Sequence, residues 1–345
     1  MTQAARRVSG KTINLALQGG GAHGAFTWGV LDRLLQDERI TIEGIAATSA
    51  GAMNGTVLAY GLTVGERQGA RSALTEFWRQ LSKVACWSPL QPSLFDLWLG
   101  DDSLSHSPAL VMFDLMARVL SPYEFNPWNW NPLGVVLNDS VDFNRLRESA
   151  GGTKLFLCAT NVRTGKLKIF SGREITADAV LASACLPFLA QAVEIDGEAY
   201  WDGGYMGNPA IFPLIYECQS RDVLIVHINP LNRHEIPKSA ADILNRIHEI
   251  SFNSSLMREM RAISFVSRLI DEQKINDGSL RKILIHSIFA DDVTSRLGVA
   301  SKYNASWRFL TRLRDAGCAS AEAWLAANYD HLGRQSTVDL PAVFL

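Results

Sequence analysis

The chain has 345 residues, of which 47% are hydrophobic and 20% are charged, and its formal net charge is −2. This composition is typical of a globular enzyme with one large α/β domain, or with such a domain and a helical appendage. A near-neutral charge without a long basic block gives no electrostatic footprint for nucleic acid, so we expect no nucleic-acid partner.

Cysteine usage and the N-terminal sequence indicate the compartment. Five cysteines are scattered without C-x-x-C pairing: Cys86, Cys158, Cys185, Cys218 and Cys318. This pattern disfavours a disulfide framework or a zinc site and favours a reducing compartment. Polar residues follow Arg6-Arg7 where a signal peptide needs an apolar stretch, and no apolar run has the length of a membrane span. We therefore expect a cytoplasmic protein whose membrane contact, if it has one, is peripheral.

The apolar periodicity predicts alternating strands and helices in the N-terminal part. In chain order these are a strand over Thr12–Gln18, the cluster Gly19-Gly20-Gly21, a helix over Gly24–Gln36, a strand over Glu43–Thr48, then Ser49 and a helix from Ala50. This alternation of strands and helices is typical of a parallel sheet.

The middle of the chain combines an irregular tryptophan-rich segment with further strands. Five tryptophans fall between positions 78 and 130, and Pro127 to Pro132 cannot form a regular element. Rings such as Trp128 and Trp130 would form either a lipid-facing lid or wall, or a cap on the core. Strands are predicted at Lys154–Thr160, Lys166–Phe170, Val193–Ile195, Glu198–Trp201, Asp222–Ile228 and Lys282–Ile288.

A long amphipathic helix is predicted from Ala240 to about Glu272, with a break near Asn253-Ser254-Ser255. Its apolar stripe would contain Ile243, Ile247, Ile250, Met257, Ile263, Val266 and Ile270, opposite Arg246, Arg258, Arg261 and Arg268. The arginine face would be solvated or would contact anionic lipid.

The segment Ala47-Thr48-Ser49-Ala50-Gly51 is similar to a G-x-S-x-G nucleophile elbow. In such an elbow the serine lies on a tight strand-to-helix turn, where small neighbours allow the strand and the helix to approach closely. Ala47 replaces the first glycine, which is tolerated only if this position does not need a positive φ. Without an elbow, the segment would be an ordinary strand-helix junction.

The segment Gly19-Gly20-Gly21-Ala22-His23-Gly24 has two interpretations. It matches the dinucleotide fingerprint G-x-G-x-x-G, using Gly19, Gly21 and Gly24, but that fold needs an acid at the end of the second strand. Glu43 begins that strand instead. Alternatively, the unhindered backbone N–H groups form an oxyanion hole at a helix start.

Asp202, in the segment Trp201-Asp202-Gly203-Gly204, is the candidate base. The alternative is a solvated turn residue, which is the more common role of the aspartate in an Asp-Gly pair. The chain has seven histidines, and none has a recognisable catalytic context. His227 or His234, following Asp202, would nevertheless satisfy the Ser-Asp-His order of an α/β-hydrolase.

Together, the glycine loop, the serine elbow and the Asp-Gly-Gly segment resemble the patatin-like phospholipase family from about Ile13 to Val226. Ala159-Thr160-Asn161, Thr164-Gly165 and Ala182 to Pro187 are similar to intermediate blocks of that family. The resemblance implies a Ser49 nucleophile, an Asp202 base without histidine, and oxyanion donors at Gly19, Gly20 and Gly21.

We therefore predict a three-layer α/β/α sandwich with a mostly parallel sheet. Residues 1–230 would form the acyl hydrolase domain, with a tryptophan-rich insertion at about 87–137, and residues 231–345 a helical extension packed on it. The expected reaction is hydrolysis of lipid acyl esters by Ser49 and Asp202, with Gly19, Gly20, Gly21 and Gly24 around the oxyanion and substrate. It needs neither metal nor organic cofactor. The alternatives are a dinucleotide-dependent enzyme and an inactive lipid-binding member of the fold.

Overall fold

The computed structural model describes residues 10–85, 112, 116, 119–149, 152–233, 236–274, 280–294 and 297–345. Most of the predicted tryptophan-rich insertion, including Trp87 and Trp98, lies outside these residues. So do His106 and His234. Within the described residues, no helix is long and apolar enough to cross a membrane.

The strands are β1 (Lys11–Leu17), β2 (Ile40–Ala47), β3 (Lys154–Asn161), β4 (Leu167–Ser171), β5 (Val193–Ile195), β6 (Glu198–Asp202), β7 (Asp222–His227) and β8 (Leu284–Phe289). The helices are α1 (Gly24–Gln36), α2 (Ala50–Ala85), α3 (Pro122–Phe125), α4 (Pro132–Ser140), α5 (Phe143–Glu148), α6 (Ala177–Ser183), α7 (Phe212–Glu217), α8 (Ala240–Asp271), α9 (Asp291–Thr294), α10 (Trp307–Asn328) and α11 (Leu340–Phe344). A kink at Gly65 and Glu66 interrupts α2.

One sheet organises the fold, in the strand order β5-β6-β3-β2-β1-β7-β8, with β4 also paired to β3. Strands β3, β2, β1, β7 and β8 are parallel, whereas β4 and β6 run antiparallel to β3. The carboxyl ends of β1, β2 and β7 therefore meet at one edge, as expected for a ligand site in an open α/β sheet.

Alternating strand residues face two hydrophobic layers, so the sheet is covered on both sides. Leu15 and Leu17 of β1 join a cluster with α1, α2 and α10, whereas Ala16 joins a cluster with α7, α8 and α11. This arrangement confirms the predicted α/β sandwich with a mostly parallel sheet and additional helices at the C-terminus.

The C-terminal part shares the core of the N-terminal part. It contributes β8 to the sheet, and α10 crosses α1 in backbone contact. A Cβ atom added at Gly317 would lie 2.1 Å from the Phe26 carbonyl oxygen. The predicted boundary near residue 231 stays a prediction, but the extension supplies a strand as well as helices.

Two details of the predicted long helix were wrong. Helix α8 is continuous through Asn253-Ser254-Ser255, and part of its apolar stripe lies on the same exposed side as Arg258, Arg261 and Arg268 instead of opposite them. Ile243, Ile247 and Ile250 are exposed, whereas the buried positions of α8 include Asn245, Glu249, Asn253 and Ser255. The polar residues face inward because they bond to the loops at the carboxyl edge of the sheet, as described below.

The tryptophan rings divide between core and surface. Trp78 is buried and stacks on Trp28 at a centroid distance of 6.3 Å. Trp128 and Trp130 are 89% and 70% exposed, so these two rings do not cap the core.

Candidate active site

Ser49 occupies the sharp turn between β2 and α2 that the sequence predicted. Its φ of 56° lies in the left-handed region, which is unusual for a residue with a side chain. The Ser49 N–H donates to Ser183 Oγ at 2.9 Å, and the Ser49 carbonyl accepts from the Met53 N–H at 3.1 Å. These bonds fix the turn, and α2 begins directly after it, so its positive dipole end faces the serine.

The neighbours of Ser49 explain why the imperfect elbow motif is tolerated. Ala47 is a buried residue of β2 and has no positive φ, so glycine is not required there. Gly51 is required, because a Cβ atom at this position would lie 2.2 Å from the Leu17 carbonyl oxygen.

The glycine loop lies directly against the serine. A Cβ atom added at Gly19 would be 2.5 Å from Ser49 Cβ, so only glycine allows this approach. The Gly19 N–H donates to Asn208 Oδ1 at 2.7 Å and is therefore already engaged. Among the described residues, the N–H groups of Gly20 and Gly21 have no hydrogen-bond acceptor, which leaves them free for a ligand.

Gly24 serves helix packing. A Cβ atom added there would lie 2.8 Å from Ala50 Cβ. The Gly24 carbonyl accepts from Asn54 Nδ2 at 2.9 Å, and Asn54 Oδ1 accepts from Trp78 Nε1 at 3.0 Å. Gly24 thus fixes the crossing of α1 and α2 behind the elbow.

Asp202 ends β6 and is completely buried. Its N–H donates to the Cys185 carbonyl at 2.7 Å, and its Oδ1 accepts from the Gly204 N–H at 2.7 Å. Within the part of the chain that the structure describes, the second oxygen, Oδ2, has no hydrogen-bond partner. One oxygen is thus fixed and the other is unengaged.

Burial raises the pKa of Asp202 to about 7, and the Gly204 N–H and the Ser49 side chain act in the opposite direction. Ser49 is thus close enough to affect the pKa of Asp202, but among the described residues no hydrogen bond joins its hydroxyl to Oδ2. A carboxyl group whose pKa lies near neutrality is a better proton acceptor than an ordinary aspartate.

A buried amide network supports the glycine loop from behind. Gln18 Oε1 accepts from the N–H groups of Ile228 and Asn229, and Gln18 Nε2 donates to Asn253 Oδ1 of α8 at 3.1 Å. Asn229 Nδ2 donates to the Gly19 carbonyl at 2.6 Å. The network therefore connects β1, β7 and α8 at the loop.

Helix α8 also supports the turn that carries Asp202. A Cβ atom added at Gly204 would lie 2.6 Å from the Phe252 ring, and Tyr205 contacts the same ring edge-on at 5.2 Å. Ser255 Oγ accepts from the N–H of Asn208, the residue whose side chain binds Gly19. Helix α8 thus contacts both the turn that carries Asp202 and Asn208, the residue that binds the glycine loop.

His23 of the glycine loop and His227, which the sequence offered as an alternative base, both have structural partners. The Ser301 hydroxyl donates to the Gly298 carbonyl and lies 2.8 Å from His23 Nε2, so that nitrogen carries the proton. His227 Nε2 bonds to Ser287 Oγ, and its ring stacks on Phe289. The pKa of both rings is lowered to about 3, by burial for His227 and by burial together with Lys302 and Arg233 for His23.

Glu43 does not lie where a dinucleotide site needs an acid. Its carboxylate accepts from the N–H groups of Gln219 and Ser220, just before β7 begins. This is the opposite edge of the sheet from the glycine loop. The end of β2 instead leads into Thr48 and Ser49.

Several residues of the site were missed by sequence reasoning. Ser183 lay within a recognised block without an assigned role, whereas Asn208, Phe252 and Asn253 come from segments without a motif. Only the fold brings them to the loop. Among the described residues, no three His, Cys, Asp or Glu side chains are grouped so that they could hold a metal ion.

Comparison with known proteins identifies the family of the chain. The family described as Patatin-like phospholipase matches residues 15–215, and the chain belongs to this family. A search of curated proteins finds no match. Among solved structures, the chain is similar to one titled "Crystal structure of VipD from Legionella pneumophila". The sequence identity is 16%, the TM-score is 0.42, and the match covers 92% of this chain and 67% of the other.

Replacing Asp202 with asparagine is expected to stabilise the fold at neutral and alkaline pH. Because the folded-state pKa is raised to about 7, ionisation of Asp202 costs stability as the pH rises from its unfolded pKa near 4 to about 7. The difference in free energy of unfolding between Asp202→Asn and wild type should grow over this interval and then level off. Denaturant unfolding across the interval measures it, with exposed Asp139→Asn as the control. A difference independent of pH would contradict the raised pKa.

Proposed function

We propose that the protein hydrolyses carboxylic ester bonds of lipids through a covalent acyl-enzyme, with Ser49 as nucleophile and Asp202 as base. Membership in the patatin-like phospholipase family supports lipid acyl hydrolysis in general. The observation that carries the specific assignment is the convergence of three groups. A serine on a left-handed turn, a buried carboxyl group with one unengaged oxygen and two loop N–H groups without an acceptor among the described residues lie around the carboxyl ends of β1, β2 and β3.

In the acylation step, Ser49 Oγ attacks the acyl carbonyl carbon while Asp202 Oδ2 accepts the hydroxyl proton. The Gly204 N–H holds Oδ1, so the carboxylate keeps its orientation during the transfer. The carbonyl oxygen becomes an oxyanion, for which the N–H groups of Gly20 and Gly21 are the proposed donors. Gly19 has another role, since its N–H is engaged and its missing side chain makes room for Ser49.

Collapse of this intermediate breaks the ester bond, and the alcohol leaves with the proton from Asp202. Water then attacks the acyl-enzyme while Asp202 again accepts a proton, and this proton returns to Ser49 Oγ as the fatty acid departs. The same carboxyl group thus serves as base and acid in both halves, which a pKa near 7 favours. The mechanism uses no metal or organic cofactor.

Ser49→Ala and Asp202→Asn are each expected to lower ester hydrolysis by about three orders of magnitude or more, because nucleophile and base act as a unit. The measurement is hydrolysis of a panel of lipid esters, together with labelling of Ser49 by a fluorophosphonate. His227→Gln is the matched control and should retain turnover. Near-normal turnover of Asp202→Asn would contradict the dyad, and absence of labelling in wild type would favour an inactive lipid-binding protein.

We also infer that the loop carrying Trp128 and Trp130 contacts aggregated lipid. Both rings are largely exposed, and Asn126 fixes the loop by bonding to the backbone N–H and carbonyl of Trp130. Gln191 Nε2 donates to the Asn126 carbonyl, and the Gln191 carbonyl accepts from Cys185, whose own carbonyl binds the Asp202 N–H. The rings therefore stand beside the segment that holds the base. Tryptophan favours such a position because its ring is apolar and its N–H stays wet.

The double variant Trp128→Ala, Trp130→Ala is expected to lower hydrolysis of vesicle lipid by about thirtyfold or more, since two rings leaving water at on the order of 1–2 kcal/mol each contribute about 2–4 kcal/mol together. Hydrolysis of a short soluble ester should not change. Rates on the two substrates provide the measurement, with Tyr216→Ala, which is 77% exposed on α7, as the control. Equal losses on both substrates would contradict a role in lipid contact.

A further inference from the structure

Helix α8 presents large apolar side chains to solvent on one continuous face. Ile243, Ile247 and Ile250 are 43%, 54% and 55% exposed, and they follow one another at spacings of four and three residues. Residues at these spacings lie on the same side of a helix. The opposite side is held by buried polar contacts to the loops, so these isoleucines cannot turn inward.

The same face continues into a row of arginines. From Ile250, steps of three and four residues lead through Ser254 to Arg258, Arg261, Phe265 and Arg268. Phe265 is 52% exposed and lies under the Arg268 guanidinium at 5.7 Å. We call the exposed row of Ile243, Ile247, Ile250, Arg258, Arg261, Phe265 and Arg268 the α8 strip.

The α8 strip has no negative charge of its own. Within the described residues, Arg258, Arg261 and Arg268 form no ion pair, and Arg258 bonds only to Ser254 within the helix. The exposed carboxylates of α8, Asp242 and Asp271, lie at its two ends and outside the strip. Asp242 accepts from Ser239 Oγ, and Asp271 pairs with Lys282.

The isoleucine half of the strip stands at the edge of the sheet that carries the site. Asn253 bonds to Gln18, directly after β1, whereas Leu256, Met260 and Ile263 pack into the core cluster beneath the sheet. Since a helix rises 1.5 Å per residue, the turns before Asn253 project beyond the strand ends. Ile250 lies one turn from Asn253. A groove of about 540 Å³ lies beside the middle of the strip and is lined by Ile250 and Met257 with Arg246, Arg258 and Arg261.

We propose that the α8 strip docks on an anionic lipid surface and thereby directs the enzyme to bilayers with acidic head groups. The isoleucines enter the interface, and the unpaired arginines bind lipid phosphates and carboxylates, as in interfacial amphipathic helices. Charge complementarity favours an acidic bilayer as the binding partner, because the strip combines a row of unpaired arginines with exposed isoleucines. The inference rests on the proposed function, because docking directs the enzyme to its lipid substrate. Membrane binding itself is measured without any ester hydrolysis.

The test compares sedimentation with vesicles of phosphatidylcholine alone and of phosphatidylcholine containing about one-third phosphatidylserine. The full chain carries Ser49→Ala throughout, so that binding is separated from hydrolysis. We expect binding to the acidic vesicles that weakens with salt. Arg258→Gln with Arg261→Gln should weaken it by about tenfold or more, and Ile247→Gln with Ile250→Gln by a similar factor. Arg163→Gln with Tyr216→Gln, exposed residues outside the strip, are the matched controls.

The outcomes separate this inference from the proposed function. In a separate set of chains that keep Ser49, the strip variants should retain wild-type soluble-ester hydrolysis, because none of the four residues touches the site. Acidic-vesicle binding by a chain that hydrolyses no ester would uphold docking and overturn the proposed function. Ester hydrolysis without a preference for acidic vesicles, or strip variants that bind them like wild type, would overturn docking. Strip variants that change only the oligomeric state would assign the strip to a protein interface instead.

Discussion

Much of the structure around the site depends on keeping the carboxyl group of Asp202 out of water. A buried carboxylate is costly unless it is hydrogen-bonded, and here one oxygen accepts the Gly204 N–H while the other has no partner among the described residues. The cost is expressed as a pKa raised to about 7. The same unengaged oxygen is the proposed proton acceptor for Ser49. The site therefore contributes less to stability than an interior in which every buried polar atom is hydrogen-bonded. The surrounding residues have to hold the Asp202 carboxyl group in position.

Much of that support comes from outside the part of the chain that the family match covers. The match ends at residue 215, yet three later residues contact the site. Phe252 packs on Gly204, and Asn253 bonds to Gln18. Ser255 Oγ accepts a hydrogen bond from the Asn208 N–H. All three supporting residues belong to α8. This explains why the inward face of α8 is polar as far as Ser255, because its side chains satisfy loop backbone and amide groups that would otherwise be buried without partners. The apolar residues displaced from that face are then exposed.

The sequence predicted the sheet and its motifs well, because strand and helix periodicity and the turn residues are local signals. The elbow at Ser49, the glycine loop and the hairpin before Asp202 all lie where their residue types require. The long helix was less predictable. Its isoleucines fit a buried stripe by spacing, but which side faces inward was decided by Asn253 and Ser255, whose partners are more than 45 residues away. Likewise, the engagement of the Gly19 N–H by Asn208 depends on a contact across 189 positions that no local pattern encodes.

The pH dependence of Ser49 labelling by a fluorophosphonate tests the central claim most directly, because it reports activation of the serine by Asp202 before any lipid binds. The account predicts that the wild-type labelling rate rises with pH to a plateau, with a midpoint near the Asp202 pKa of about 7. In Asp202→Asn, labelling should be slow and have no step in this range. An Asp202→Asn variant that keeps both the wild-type rate and the same midpoint would contradict the assignment of Asp202 as the base.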